Sequence, residues 1–190
     1  GIAKAFAVNR TKALTQQNVD TIAVASAPAK ENEGIPTVAS ATGAAFLNNP
    51  VLHQEVFGPY SIVIRCKDAE EMQLIVEHIE GQLTSTVMAT DADIQSNTVL
   101  IQNIQLTCGR LIFNGVPTGV EVCLSMQHGG PFPATTDSRF TSVGADGIKR
   151  FVRPVSYQNC PDIFLPDELK SNNPLGIWRT VNNELTKAAL

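Results

Sequence analysis

The chain has 190 residues, 43% hydrophobic and 17% charged, with a net charge of −4 at pH 7. That length supports one domain with a sizeable core, and an isoelectric point near 5.3 leaves no basic surplus to meet the phosphates of a nucleic acid. No apolar run reaches membrane-spanning length, and the first residues lack the charged-then-apolar pattern of a secretory leader. Cys66, Cys108, Cys123 and Cys160 show neither C-x-x-C pairing nor zinc-like spacing with His53, His78 or His128. They read as reduced thiols of a cytoplasmic protein.

In chain order, Ile2, Ala3, Phe6, Ala7 and Leu14 form a helical stripe, predicting a helix over 2–18. Thr21 to Ser26 reads as a strand, 28–36 as a solvated loop, and Thr37 to Thr42 as a second strand. The β-branched run from Ser61 to Cys66 predicts a third. Asp68 followed by Glu71 resembles a capping box with Asp as the cap. Behind it Met72, Ile75, Val76, Ile79 and Leu83 recur at helical spacing. A strand over 85–89 follows, then a helix opening at Asp91 or Asp93 and running through Ile94, Leu100, Ile101 and Ile104. Gly109 sits where that helix would stop, with the strand Leu111 to Phe113 behind it.

From Asn114 to Gly144 the chain is rich in glycine and proline, yet carries Val116, Val120, Phe132 and Phe140. An ordered, site-forming loop is the expectation there. A short helix over 146–152, a strand over 155–158 and another over 177–181 complete the pattern. Strands separated by helices predict an α/β fold, with a mainly parallel sheet covered by helices on both faces in three αβα layers. The expected division is 1–154 as the main domain and 155–190 as a C-terminal strand and tail.

The most informative short span is Glu55-Val56-Phe57-Gly58-Pro59. A carboxylate accepts hydrogen bonds from both vicinal hydroxyls of a ribose, at roughly 1.5–3 kcal/mol each. An aromatic ring beside it offers a flat apolar wall for a nicotinamide, and the Gly-Pro turn aims both side chains. The same span also suits an ordinary connecting loop that happens to hold a Glu and a Phe.

From Gln54 to Asn159 the sequence resembles the C-terminal part of an aldehyde dehydrogenase. Glu55 to Pro59 matches the superfamily's cofactor motif. The run Gly109-Arg110-Leu111-Ile112-Phe113-Asn114-Gly115-Val116-Pro117-Thr118-Gly119-Val120-Glu121-Val122-Cys123, then His128-Gly129-Gly130-Pro131-Phe132-Pro133-Ala134, narrows it further. With Ser138-Arg139, 141–144 and 150–155, these segments are similar to bacterial alpha-ketoglutarate semialdehyde dehydrogenases and NADP-dependent fatty aldehyde dehydrogenases.

The resemblance implies oxidation of an aldehyde to an acid through a thioester on a cysteine, with NADP or NAD as cofactor. It assigns Glu55 and Phe57 to the cofactor. It assigns Pro117, Val120, Val122, Cys123, Leu124 and His128 to the substrate side, because the corresponding loop forms one wall of the aldehyde tunnel. In such enzymes the nucleophile, the glutamate base and the Rossmann portion lie further upstream of this motif than the residues available here, and no Gly-rich dinucleotide fingerprint occurs in the chain. The expectation is therefore a partial catalytic domain with no catalytic residue of its own, inactive alone and forming a homodimer or tetramer within the complete enzyme.

Cys123 with His128 nearby invites promotion to a nucleophile, but five residues of loop guarantee neither a depressed thiol pKa nor a placed base. His128-Gly129-Gly130 resembles an esterase oxyanion loop, yet the Gly-x-Ser-x-Gly elbow that chemistry needs is missing. A semialdehyde bearing a carboxylate calls for a cationic donor, and Arg139 is a candidate. Two substrate classes stay open, 2,5-dioxopentanoate and longer apolar aldehydes. A non-enzymatic αβ interaction domain is the competing class, with 155–158 as its exposed edge.

Overall fold

A computed structural model describes residues 1–190. The chain divides into two compact units, Gly1–Phe151 and Val152–Leu190.

The first unit opens with α1 (Ile2–Leu14), which buries Phe6 and Ala13. It stops four residues short of the expected end. The Thr15 hydroxyl turns back onto the carbonyls of Thr11 and Lys12, and Asn18 adopts a left-handed conformation at φ 63°, which breaks the helical path. Strands β1 (Asp20–Val24), β2 (Thr37–Thr42) and β3 (Tyr60–Arg65) form one sheet in the order β1-β2-β3. β1 runs antiparallel to β2, and β3 runs parallel to it with Thr37 opposite Tyr60 and Thr42 opposite Arg65. The central strand buries Thr37, Ala39, Ser40 and Ala41. Its small side chains let neighbouring layers approach closely.

Two short turns carry the chain from β2 to β3. The Thr42 hydroxyl caps α2 (Gly43–Asn48) by accepting from the Ala45 N–H. Asn49 caps the 3₁₀ turn Pro50–His53, with proline at its start. Phe46 and Leu52 from these turns join Ala41 and Ile75 in the core, against Ile62 and Ile64 of β3.

α3 (Ala69–His78) is capped by Asp68, whose carboxylate accepts from the Glu71 N–H at 2.8 Å. The reciprocal half of the expected box is displaced, since the Glu71 carboxylate accepts from the Lys67 N–H rather than from Asp68. Ile75 and Val76 form the buried stripe. Leu83 belongs instead to the next strand, because the helix ends at His78.

β4 (Gln82–Val87) and β5 (Cys108–Phe113) pair in parallel as a separate two-stranded sheet. The α/β class holds, with the parallel pairings divided between two small sheets rather than gathered in one. Between β4 and β5 the expected single helix is two, α4 (Asp91–Ser96) and α5 (Thr98–Leu106). Thr90 and Asp93 form a reciprocal capping box at the start of α4. At the break, the Asn97 side-chain amide donates to the Asp93 carbonyl, so a side chain takes up a helical acceptor locally. The second helix ends at Thr107, whose hydroxyl donates to the Ile104 carbonyl. Gly109 lies inside β5 and is not the helix stop.

Residues 114–144 carry no helix or strand but are tied internally. Asn114 adopts φ 49° and bonds both the N–H and the carbonyl of Ala89, each at 2.9 Å. The Thr141 hydroxyl accepts from the His128 N–H and donates to the Val143 carbonyl, while Ser142 donates to the His128 carbonyl. A 3₁₀ segment, Ala145–Phe151, ends the unit.

In the second unit, residues 155–158 form no strand. No other strand of the chain lies alongside them, and a strand needs a ladder partner for its backbone groups. A hairpin does form, with β6 (Arg179–Val181) antiparallel to β7 (Glu184–Thr186). Its turn residues Asn182 and Asn183 both take positive φ, 51° and 69°, the geometry that two-residue hairpins favour. Buried Asn173 holds the unit together by donating to the Ile177 and Lys187 carbonyls.

Candidate active-site cleft and substrate loop

The first unit contains a cleft of about 700 Å³ whose walls include Glu55, Phe57, Tyr60 and Ile62, with Ser85 and Thr86 of β4. The segment 53–58 is positioned from both ends. Leu52 is buried in the core on one side. His53 stacks on Phe46 at 4.2 Å between ring centres, and its Nε2 lies 2.7 Å from the Phe46 carbonyl. On the other side Gly58 takes φ 149°, a conformation that side chains resist, and the Phe6 ring packs where its Cβ would sit. The Gly58 carbonyl then accepts from the Tyr60 N–H at 2.8 Å, so the turn leads directly into β3.

This arrangement holds Glu55 and Phe57 on the cleft wall with both side chains exposed, Phe57 to 63%. A carboxylate and an aromatic face thus reach the same open space. Two further wall residues escaped the sequence reading, His53 and Tyr60. The Tyr60 hydroxyl is buried and has no hydrogen-bond partner, and burial pushes its ionisation upward. The signal available for Tyr60 was its place immediately after the Gly-Pro turn.

The six residues assigned to the substrate side lie elsewhere. None of Pro117, Val120, Val122, Cys123, Leu124 and His128 contributes to the wall of this cleft. Val122 and Leu124 are 88% and 80% exposed, so neither fills a core beneath the loop. Cys123 is half-buried, with its sulfur 3.5 Å from the Ser125 hydroxyl. His128 is half-buried with its backbone bonded to Thr141 and Ser142, and its Nδ1 is buried without a partner.

Arg139, the candidate carboxylate receptor, is already engaged. Its Nε and Nη2 donate to the two oxygens of Asp137 at 2.9 and 2.6 Å, and the guanidinium lies 5.5 Å from the centre of the Phe140 ring. Among the thiols, Cys66 is pushed upward by burial and then by the carboxylates of Glu71 and Asp68, the opposite of activation.

Comparison with known proteins gives the sequence its context. Over 188 residues, 98% of this chain and 36% of the relative, it is 44% identical to an alpha-ketoglutaric semialdehyde dehydrogenase of Acinetobacter baylyi. Over 94% of this chain and 34% of the relative, it is 42% identical to alpha-ketoglutaric semialdehyde dehydrogenase 2 of Azospirillum brasilense. Over nearly its whole length the chain is similar to part of an aldehyde dehydrogenase. It spans about a third of the length of these curated relatives.

Similar solved structures include aldehyde dehydrogenase 21 of Physcomitrella patens with succinate, at TM-score 0.49 and 18% identity over 68% of this chain and 24% of that one. Another is the Delta-pyrroline-5-carboxylate dehydrogenase of Mycobacterium tuberculosis bound with NAD, at TM-score 0.47 and 22% identity over 70% and 24%. No protein-family profile matches the chain.

Proposed function

We propose that this chain is part of an NAD(P)-dependent aldehyde dehydrogenase that oxidises alpha-ketoglutarate semialdehyde to the corresponding acid. Identity of 44% and 42%, over nearly the whole chain, to relatives named for that substrate carries the reading. The exposed pair Glu55 and Phe57 on one cleft wall supports it.

These residues fit a nicotinamide nucleotide. The Glu55 carboxylate would accept hydrogen bonds from the ribose hydroxyls, and the Phe57 ring would offer an apolar wall to the nicotinamide. The turn at Gly58 leads the segment that carries both directly into β3. When bound, the nucleotide supplies the acceptor for the hydride leaving the aldehyde carbon. Aligning donor and acceptor is the contribution of Glu55 and Phe57, and small errors in that alignment are costly in rate.

The sulfur nucleophile, on which a thioester forms, comes from polypeptide other than these 190 residues. The surroundings of the thiols support this: Cys66 is disfavoured as a thiolate, and the Cys123 sulfur contacts a hydroxyl rather than a base. In the complete enzyme, Glu55→Gln slows cofactor reduction in a single turnover by about tenfold or more, the worth of one to two charge-assisted bonds. An unchanged single-turnover rate rejects the role of Glu55. The purified chain by itself gives no aldehyde-dependent reduced cofactor, and a robust absorbance rise from it contradicts the division of labour.

A second substrate reading has its own observation. Val120, Val122 and Leu124 present exposed apolar surface on the loop, which suits a longer apolar aldehyde. Four unpaired cysteines fit a reducing, cytoplasmic setting, and assembly as a homodimer or tetramer belongs to the same proposal.

A further inference from the structure

We infer that Phe6 of α1 is a positioning residue for the nicotinamide site, wedged behind the segment that carries Glu55 and Phe57 to the cleft. The inference rests on the dehydrogenase reading above and adds to it the group that holds the cofactor-binding side chains in place.

Glu55 and Phe57 are both exposed on the cleft wall, and Glu55 takes part in none of the four ion pairs of the chain. Their placement therefore depends on the backbone beneath them. Gly58, at φ 149°, is the softest point of that backbone, because a residue without a Cβ has the widest choice of conformations. Such a turn keeps one conformation when packing from another element restricts it.

Phe6 supplies that packing. It is 3% exposed, with one edge of its ring against Gly58 and the other against Gly34, where an added Cβ would come within 2.7 Å of the ring. The ring thus meets main chain on both sides, and main chain does not step aside by changing rotamer. The Gly34 side is tied in turn: Pro59 Cδ lies 3.1 Å from the position of that Cβ, and the Pro59 carbonyl accepts from the Thr37 N–H at 2.9 Å. The helix itself is anchored to β2 through Arg10, whose Nε donates to the Thr37 hydroxyl at 2.6 Å. It also reaches the segment at a second point, since Lys12 Nζ donates to Gln54 Oε1 at 3.1 Å, and buried Ala13 is part of the cleft wall. α1 therefore holds the chain at Gln54, just before Glu55, and at Gly58, just after Phe57. A smaller side chain at position 6 leaves a gap behind Gly58. Movement of the segment into that gap misaligns the nucleotide, and a misplacement of about 1 Å lowers a rate by up to about a hundredfold.

The test uses Phe6→Leu in the complete enzyme. Hydrogen exchange is followed first, with neither nucleotide nor aldehyde present. The expected result is faster exchange at 55–58, with exchange at 108–113 unchanged. Single-turnover cofactor reduction is then measured in two backgrounds. In the parent, Phe6→Leu slows it about tenfold or more. In a Glu55→Gln, Phe57→Ala background the same change slows it less than about threefold, because an effect transmitted through those side chains is lost with them. A merely structural role gives equal losses in both. Unaltered exchange at 55–58, or equal losses in the two backgrounds, each overturns the inference. If circular dichroism shows that Phe6→Leu does not fold, Phe6→Met takes its place, since an unbranched chain fills irregular gaps. A parent enzyme that reduces no cofactor with any aldehyde fails the dehydrogenase reading instead. The exchange measurement needs no turnover, so its failure counts against Phe6 alone.

Discussion

Replacing Gly109 with alanine probes how the site-forming loop is seated on β5. A Cβ at this position falls against the Gly129 carbonyl and 2.9 Å from the Gly130 nitrogen. Ordinary van der Waals contact begins at 3.4 Å. Both obstacles are main chain, so neither side yields by rotating a side chain, and the loop has to withdraw. Overpacking typically costs about 1–3 kcal/mol, and a clash with backbone belongs at the upper end. At about 2–4 °C per kcal/mol for a chain of this size, Tm falls by about 6–12 °C. Gly119→Ala is the matched control, because nothing lies within 4 Å of its added Cβ, and it stays within about 0.5 kcal/mol of the parent. Thermal and urea denaturation measure both, and hydrogen exchange at 128–132 reports whether the loop has lifted. A Gly109→Ala protein as stable as the control, with unaltered exchange in the loop, refutes the seating.

Asp137 and Leu124 give two further tests. The hydrogen bonds and charge of Arg139 hold the Asp137 carboxyl at about 2, below the ordinary value of about 3.9 for the unfolded chain. Its stabilisation is therefore complete above pH ~4 and fades as pH falls toward 2. Asp137→Asn is the less stable protein above pH ~4, and a urea-denaturation series shows the difference closing between pH ~4 and 2. A difference independent of pH over that window contradicts the pairing. For Leu124, replacement by Ser or Arg in the complete enzyme shifts the ratio of kcat/KM for apolar over acidic aldehydes by about tenfold, the worth of one or two methylenes in a pocket wall. An unaltered ratio takes Leu124 out of the pocket.

Local chemistry was legible from residues alone wherever it is short-range. The strand Thr37–Thr42 matches its expected bounds, set off by Pro36 before it and by the cap at Thr42 after it. The stripe Ile75 and Val76 faces the core as its spacing predicted, and Asp68 caps its helix. Glu55 to Pro59 was visible as a carboxylate and a ring aimed by a turn, and the structure sets both on a cleft. Periodicity and capping need only a few consecutive residues, so the linear order contains them.

Strand pairing depends on which edges meet, and the tertiary structure alone decided it. Residues 155–158 have strand-forming side chains but no neighbouring strand, whereas Arg179–Val181 gains one because two asparagines reverse the chain. The parallel strands separate into two sheets, a fact of which edges meet rather than of any strand's own composition. Arg139 looks available in the sequence as a carboxylate receptor, yet Asp137, two residues before it, occupies its fork. The loop at His128 is held by Thr141 and Ser142, 13 and 14 residues further on. Residue order does not state which of these side chains meet, because the meeting depends on the path the chain takes between them.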